Sequence, residues 1–446
     1  IATLEAKLCR LTRAIRGEGR DVAAGEIAEF ARQGLDVSAL PLDPELSDYL
    51  IASHETGRDI HLIASARQEI AEAIAARLGV FASATGSRPG HLVGVREKLA
   101  LVEARFPDGF AYAGREPALL EAATSAVLVK AEAATGASVR ERGGSIEVEI
   151  GGGMTALRMW SKALRCHQWA KNGLVLVPLV LGHAYGDPAA IMRCAAGLLL
   201  LCLLASGTYL VNDILDLEAD RRHPTKCRRP LARGDLAAGT AAGVAAALIV
   251  SSLALAYVLS WPFFLTLSAY LATTLAYSLY LKRQLLVDVF VLACLFTLRI
   301  AMGIALAAVA PSSWLLTFTM FFFLSLSLAK RHVEVVTAAG RGLAEIPGRD
   351  YRASDLPLTV ALGVACNAVA MLILFLYLLH DAMPTGFYRQ PYWLWGAAFV
   401  VLLWSLRIWG LAHRGRLDAD PVAFAVRDPM SLCLGAVVAG VFALAL

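Results

Sequence analysis

Apolar positions along this chain follow three successive patterns. Through Leu4–Ile15 and Ile27–Leu35 they recur at helical spacing, which predicts helix over residues 1–40. From Pro41 to about Val129 the pattern alternates between short and long apolar runs. HLIAS (61–65) reads as a buried strand and RQEIAEAIAARLGV (67–80) as an amphipathic helix. EKLALVEARF (97–106) is a second helix, FAYAG (110–114) a second strand, and PALLEAATSA (117–126) a third helix before the strand AVLV (126–129). Strands alternating with helices predict a parallel sheet in a small α/β domain over 1–134. The glycine-rich, polar stretch after it reads as a linker, 135–158.

From about residue 172 the chain becomes a series of apolar stretches, most near the roughly 20 residues that cross a bilayer as a helix. Candidate spans are 172–184, 190–211, 237–259, 261–281, 286–308, 313–329, 356–380, 392–412 and 430–446, the first and last being short. The fold class is therefore an all-α polytopic membrane domain of nine transmembrane helices, over 159–446, preceded by the α/β domain. Composition agrees, with 57% hydrophobic and 17% charged residues, against roughly 25% charged in an average soluble domain. A single soluble globule, a disordered chain and a small disulfide scaffold are excluded.

Lys and Arg crowd into alternate loops: RRHPTKCRRPLAR, KR, KRHVE…GRDYR and HRGRLDADPVAFAVRD. The loops between them are nearly free of positive charge, so the charged loops and the N-terminal domain are expected on the cytoplasmic side of the cytoplasmic membrane. The opening segment has no signal-peptide pattern, and a first residue other than Met suggests a natural start upstream. A net charge of +4, without basic runs interleaved with aromatics, gives no reason to expect nucleic acid. The eight cysteines are scattered and form no C-x-x-C pair, so neither disulfides nor zinc are expected.

The chemistry concentrates in NDILDLEADRRHPTKCRRPLARG (212–234). At 100° per residue, Asn212, Asp213, Asp216 and Asp220 share one face of a continuous helix, and Glu218 points the other way. These hard oxygen ligands suit Mg²⁺ bridging to substrate phosphates. A carboxylate cluster beside a bilayer is costly unless it lines a wet cavity. His223, Lys226, Arg228 and Arg229 follow at once and could neutralise phosphate oxygens that the metal does not reach. The bland alternative is a solvated helix end followed by an ordinary positive-inside loop.

N-D-x-x-D-x-x-x-D after a membrane span resembles the first motif of the UbiA superfamily of intramembrane transferases, whose fold has nine transmembrane helices. The longer string resembles the decaprenyl-phosphate phosphoribosyltransferase branch, as do LRCHQWAKN (164–172), YSLYLKR (277–283), FTLRIAMG (296–303), AKRHVE (329–334), GRDYRASD (348–355) and RGRLDADPVAFAVRD (414–428). The resemblance implies Mg²⁺-dependent transfer of 5-phosphoribose from phosphoribosyl pyrophosphate to a polyprenyl phosphate, with release of pyrophosphate. It implies Asp213, Asp216 and Asp220 as catalytic metal ligands together with Asn212. It also implies substrate contacts from Arg165, Lys171, Asn172, Asn212, His223, Lys226, Arg229, Tyr277, Lys282, Arg299, Lys330, Arg331 and Glu334.

Several of these positions have simpler readings. Arg165, Lys171, Lys282 and Arg283 could be interfacial anchors, and Arg414, Asp418, Asp420 and Arg427 a surface ion-pair loop. Arg299 lies mid-span and must face a cavity or a partner. Aromatic prenyltransferases of the superfamily have a second aspartate-rich motif after span six. Lys330-Arg331-His332-Val333-Glu334 stands there instead, which suits an anion, although Asp350 and Asp355 further along could restore a metal site.

The N-terminal domain resembles the haloacid dehalogenase-like fold in part, through Ser65, Lys98 and FAYAGREPALL (110–120). Leu119 stands near the expected last aspartate, and residues 1–40 contain no D-x-D nucleophile motif. No aspartyl-phosphate can form without that nucleophile, so an inactive domain is expected. Prenyl transfer from a prenyl diphosphate to an aromatic or other small acceptor is the alternative, and a lipid-phosphate or ion transporter is a reading from another class. The sequence does not decide whether the protein forms a homo-oligomer.

Overall fold

A computed structural model describes residues 42–446 except 89–91, 132, 151–155, 223–224, 341, 343, 347–348, 385 and 418–420. The helix expected over 1–40 lies outside the described residues, as do His223, Asp418 and Asp420. Two compact units divide the chain. One joins the residues up to Ala163 with Asp213–Ala242, and the other joins Leu164–Asn212 with Gly243–Leu446.

In the first unit, α1 (Pro44–Glu55) is followed by β1 (Ile60–Arg67), α2 (Gln68–Leu78), β2 (Phe81–Ser87), α3 (Val95–Arg105), β3 (Ala111–Gly114), α4 (Pro117–Ala122), β4 (Ser125–Val129), α5 (Ala133–Glu141), β5 (Ser145–Ile150) and α6 (Ala156–Ala163). Every strand pairing is parallel: β1 with β2, and β3-β4-β5 with β4 in the middle. The central SAVLV packs Ala126 and Leu128 against Leu120 and Val139, as a strand buried on both faces should. The expected linker is corrected here, because residues 133–150 fold as α5 and β5. The SIEVEI of β5 pairs along β4, which satisfies its backbone despite the glycines around it.

The membrane part opens with a 3₁₀ helix, Cys166–Leu176, and a five-residue α7 (Val177–Leu181). The first predicted span, 172–184, is therefore not a continuous helix. Pro178 sits in the first turn of α7 and cannot extend the hydrogen-bond ladder of the segment before it. Then come α8 (Pro188–Leu215), α9 (Leu217–Arg222), α10 (Pro230–Arg233), α11 (Ala238–Leu259), α12 (Trp261–Leu279), α13 (Val287–Ala307), α14 (Ser313–Gly340), α15 (Leu356–Tyr377), α16 (Leu394–His413), α17 (Pro421–Ala425) and α18 (Pro429–Ala445). Among the described residues seven helices are long and apolar enough to cross a membrane, and α18 is a shorter apolar helix. Seven, rather than nine, is thus the count by length.

Two further corrections concern the motifs. The single helix expected through Asn212–Asp220 is interrupted: α8 ends at Leu215 and α9 begins at Leu217. KRHVE (330–334) is not in a loop. It lies inside α14, because nothing between Ala329 and Gly340 breaks a helix.

Helix packing positions the 3₁₀ segment. A Cβ on Gly303 of α13 would lie 2.2 Å from the Val175 carbonyl oxygen and 2.8 Å from Pro178 Cδ. Only glycine lets this backbone approach α13, where Met302 and Leu306 join Val175 and Leu179 in one buried cluster. Gly303→Ala should therefore cost about 1–3 kcal/mol of stability by overpacking. Thermal unfolding in detergent should show a clear fall in Tm, whereas Gly243→Ala, with nothing within 4 Å, should not.

Candidate functional site

The predicted site residues divide between the two units. Asp213, Asp216, Asp220, Lys226 and Arg229 belong to the unit that contains the α/β part, and the remaining described ones to the other.

Asp213 and Asp220 are buried at 4% and 3% exposure, Asn212 and Asp216 are half-buried, and Glu218 is exposed. At the one-residue junction between α8 and α9 the Asp220 amide still donates to the Asp216 carbonyl at 2.8 Å. Two of the acids converge: a single Arg229 nitrogen, Nη1, lies 3.1 Å from Asp213 Oδ1 and 2.5 Å from Asp220 Oδ2. Lys226 Nζ stands 4.0 Å from Asp220 Oδ1. The point between the two carboxylates already suits a cation. A pair of carboxylates plus substrate phosphates and water is the ligand set Mg²⁺ usually takes. Among the described residues no group of three His, Cys, Asp or Glu side chains could hold a metal. Of the aspartates expected as ligands, Asp213 and Asp220 share one cation in the structure. Asp355 instead accepts the Arg352 amide at 2.8 Å, as a helix cap.

In the other unit, Arg299 of α13 is 6% exposed. Its Nε donates to Asn172 Oδ1 at 3.0 Å, Nη1 to the Leu295 carbonyl at 2.7 Å, and Nη2 to the Tyr270 hydroxyl at 2.8 Å. The guanidinium stacks over Tyr270 and Phe296. All three acceptors are neutral, so the charge itself is not balanced by them. Asn172 in turn donates to Cys202 Sγ at 3.3 Å. Arg165 stacks over Tyr209, and Lys171 and Lys282 are half-buried nearby in sequence to Asn172 and Tyr277.

Arg331 is different. It is 0% exposed, and Nη2 lies 2.6 Å from Asp288 Oδ2, a carboxylate also 0% exposed. Arg331 also pairs with Glu334, Arg349 reaches Asp288 at 3.3 Å and Glu334 at 3.5 Å, and Tyr351 donates to Asp288 at 2.7 Å. Tyr277 accepts from Arg349 at 3.4 Å. Burial, then the Asp288 charge, raises the Tyr351 hydroxyl above its ordinary range, which keeps it a neutral donor. Two arginines and two carboxylates thus balance. The expected anion site at KRHVE is corrected to a closed ionic cluster, with Lys330 half-buried beside it in sequence. Sequence reasoning missed Asp288, Arg349 and Tyr351. The available signal was an acid opening an otherwise apolar span.

In the α/β part, Lys98 is 7% exposed and pairs with Glu116 at 2.7 Å, and Ser65 is exposed. The described cysteines are free thiols.

Seven helices of membrane length among the described residues mark a membrane protein. The chain belongs to the UbiA prenyltransferase family, which it matches over residues 175–430. It is accordingly a multi-pass membrane transferase. An uncharacterized protein y4nM of Sinorhizobium fredii is 39% identical over 417 residues, 93% of this chain and 81% of that protein. The decaprenyl-phosphate phosphoribosyltransferase of Mycolicibacterium smegmatis is 36% identical over 187 residues, 41% of this chain and 58% of that enzyme. A UbiA homolog from Archaeoglobus fulgidus bound to GPP and Mg²⁺ shares the fold at a TM-score of 0.50 and 15% identity, covering 64% of this chain and 99% of that one.

The ionic cluster yields a stability prediction. Asp288→Asn leaves Arg331 short of a counter-charge in a dry site, a loss of about 3–5 kcal/mol when a buried pair is broken. Adding Arg331→Met should recover part of that loss. Urea or thermal unfolding of the two single variants and the double variant measures it, and strictly additive losses would contradict the pairing.

Proposed function

We propose that this chain moves 5-phosphoribose from phosphoribosyl pyrophosphate to a polyprenyl phosphate. The observation that carries the reading is the convergence of Asp213 and Asp220 on one cationic point, with Arg229 and Lys226 beside it. Asp213 and Asp220 would hold Mg²⁺, which when bound supplies charge neutralisation for a departing pyrophosphate. Asn212 and Asp216 complete the motif, and His223, Lys226 and Arg229 neutralise donor phosphate oxygens. The bond from ribose C1 to pyrophosphate breaks, and a bond from C1 to a lipid phosphate oxygen forms. Arg165, Lys171, Asn172, Tyr277, Lys282, Arg299 and Lys330 bind substrate. Among them Arg299 carries a buried charge met only by neutral acceptors, a setting that favours an incoming phosphate. Arg331 and Glu334 support the fold of that region rather than a ligand.

Two features favour this donor over a prenyl diphosphate. The region where a second aspartate-rich site would fall is closed by its own ion pairs, and the mycobacterial relative is named a phosphoribosyltransferase. Prenyl transfer remains the second reading, because the Archaeoglobus homolog is described with GPP. The charged loops and the α/β part face the cytoplasm of a cytoplasmic membrane. We read that α/β part as a degenerate haloacid dehalogenase-like domain, because Leu119 stands where its last aspartate is expected; Lys98 pairs with Glu116 there.

The test is purified protein with labelled phosphoribosyl pyrophosphate, polyprenyl phosphate and Mg²⁺, scored for label in the organic phase. Asp213→Asn and Asp220→Asn should each lower kcat/KM by about 100-fold or more, a loss of roughly 2.7 kcal/mol or more at the transition state. Glu218→Gln should stay within about twofold, since an exposed side chain away from the pair contributes little. Arg229→Gln should raise the donor KM about 10- to 100-fold, the equivalent of one charge-assisted hydrogen bond. Label that enters lipid only from a prenyl diphosphate would establish the second reading.

A further inference from the structure

Lys130, the residue after β4, lies in the left-handed region at φ 50°, where a lysine is uncommon. Such a conformation costs free energy and persists where surrounding contacts fix it. Here the contacts are ionic. Lys130 Nζ lies 2.8 Å from Asp235 Oδ1 and 3.5 Å from Asp43 Oδ2. Arg233 closes the set, with Nη2 3.3 Å from Asp43 Oδ2 and Nε 3.4 Å from Asp235 Oδ2. Two cations and two anions balance, on side chains between 10% and 34% exposed. Asp43 and Lys130 come from the α/β part, Arg233 and Asp235 from the segment after the aspartate motif, and all four lie in one compact unit.

The segment between the two ion clusters is a single stiff turn. α10 has four residues, opens on Pro230 and stops at Gly234, which is left-handed at φ 82°. Pro230, Leu231 and Ala232 are buried. The Arg233 amide donates to the Arg229 carbonyl at 2.9 Å, and the Asp235 and Leu236 amides donate to the Pro230 carbonyl at 2.9 and 3.2 Å. Arg229, which joins Asp213 to Asp220, thus stands at one end of α10, and Arg233 with Asp235 at the other. Isolated exposed ion pairs hold little. A four-charge network on partly buried side chains, coupled through a proline-led turn, can fix a loop.

We infer that the α/β part is a clamp for the loop that carries Arg229: Asp43, Lys130, Arg233 and Asp235 are positioning residues that set Arg229, and through it affinity for the diphosphate donor. This rests on reading Asp213, Asp220 and Arg229 as the donor site.

The experiment uses the full chain in detergent. Lys130→Asn removes the charge with a residue that tolerates a positive φ. Asp43→Asn removes the charge yet keeps the cap that now accepts the Glu45 amide at 3.1 Å. Ligand-free hydrogen exchange over residues 226–236 is measured beside the donor KM and kcat. Exchange should speed by about fivefold or more in each variant, while β3 and β4 keep wild-type protection. Donor KM should rise about three- to tenfold with kcat within about twofold. Lys130→Arg, which keeps the charge between Asp43 and Asp235, should leave both readouts near wild type. Wild-type exchange over 226–236 in both single variants would overturn the clamp, and so would exchange that speeds equally in β3 and β4. Faster exchange confined to the loop, in a protein that never uses phosphoribosyl pyrophosphate, would overturn the proposed donor and leave the clamp standing.

Discussion

Arg229 holds Asp213 and Asp220 together because two buried carboxylates repel each other unless a cation lies between them. In a low-dielectric setting that repulsion is far larger than in water, so whatever sits at the shared point decides whether the end of α8 and the start of α9 keep their arrangement. In general, a site with one or two carboxylates leaves coordination positions on a divalent cation for phosphate and water.

The same rule separates the two buried arginines of the other unit. Arg331 meets Asp288 and Glu334, shares them with Arg349, and carries no surplus charge. Arg299 meets an amide oxygen, a backbone carbonyl and a phenol. Neutral acceptors satisfy the hydrogen-bonding of a guanidinium but not its charge, and an unbalanced charge inside an apolar helix is costly to keep. One arginine is matched by carboxylates and the other by neutral acceptors alone. Gly303, one turn beyond Arg299 on the same helix, lets the 3₁₀ segment that carries Asn172 lie close enough to complete the set.

Much of this was legible in the sequence. Apolar runs of membrane length located all seven long helices, and the N-D-x-x-D-x-x-x-D string located the acidic motif. Local periodicity did not foresee the break at Asp216. The continuation of α14 past Lys330 was available, since no residue there breaks a helix, but the run of charges read as a loop. Arg331 read as a free cation because its partner, Asp288, is 43 residues earlier in the chain (331 minus 288). β5 was hidden for another reason: SIEVEI alternates cleanly, but its glycine-rich flanks outweighed it. β2 has a run of small residues, FASATGS, with little hydrophobic contrast to read.

The count of metal ions bound with the donor tests the central claim most directly. Mn²⁺ is titrated into the protein with phosphoribosyl pyrophosphate and followed by electron paramagnetic resonance. One carboxylate pair and one closed ionic cluster predict a single donor-dependent Mn²⁺ per chain, lost in Asp213→Asn and kept in Asp288→Asn wherever that variant stays folded. Two ions per chain, or a single ion lost in Asp288→Asn and kept in Asp213→Asn, would contradict the account.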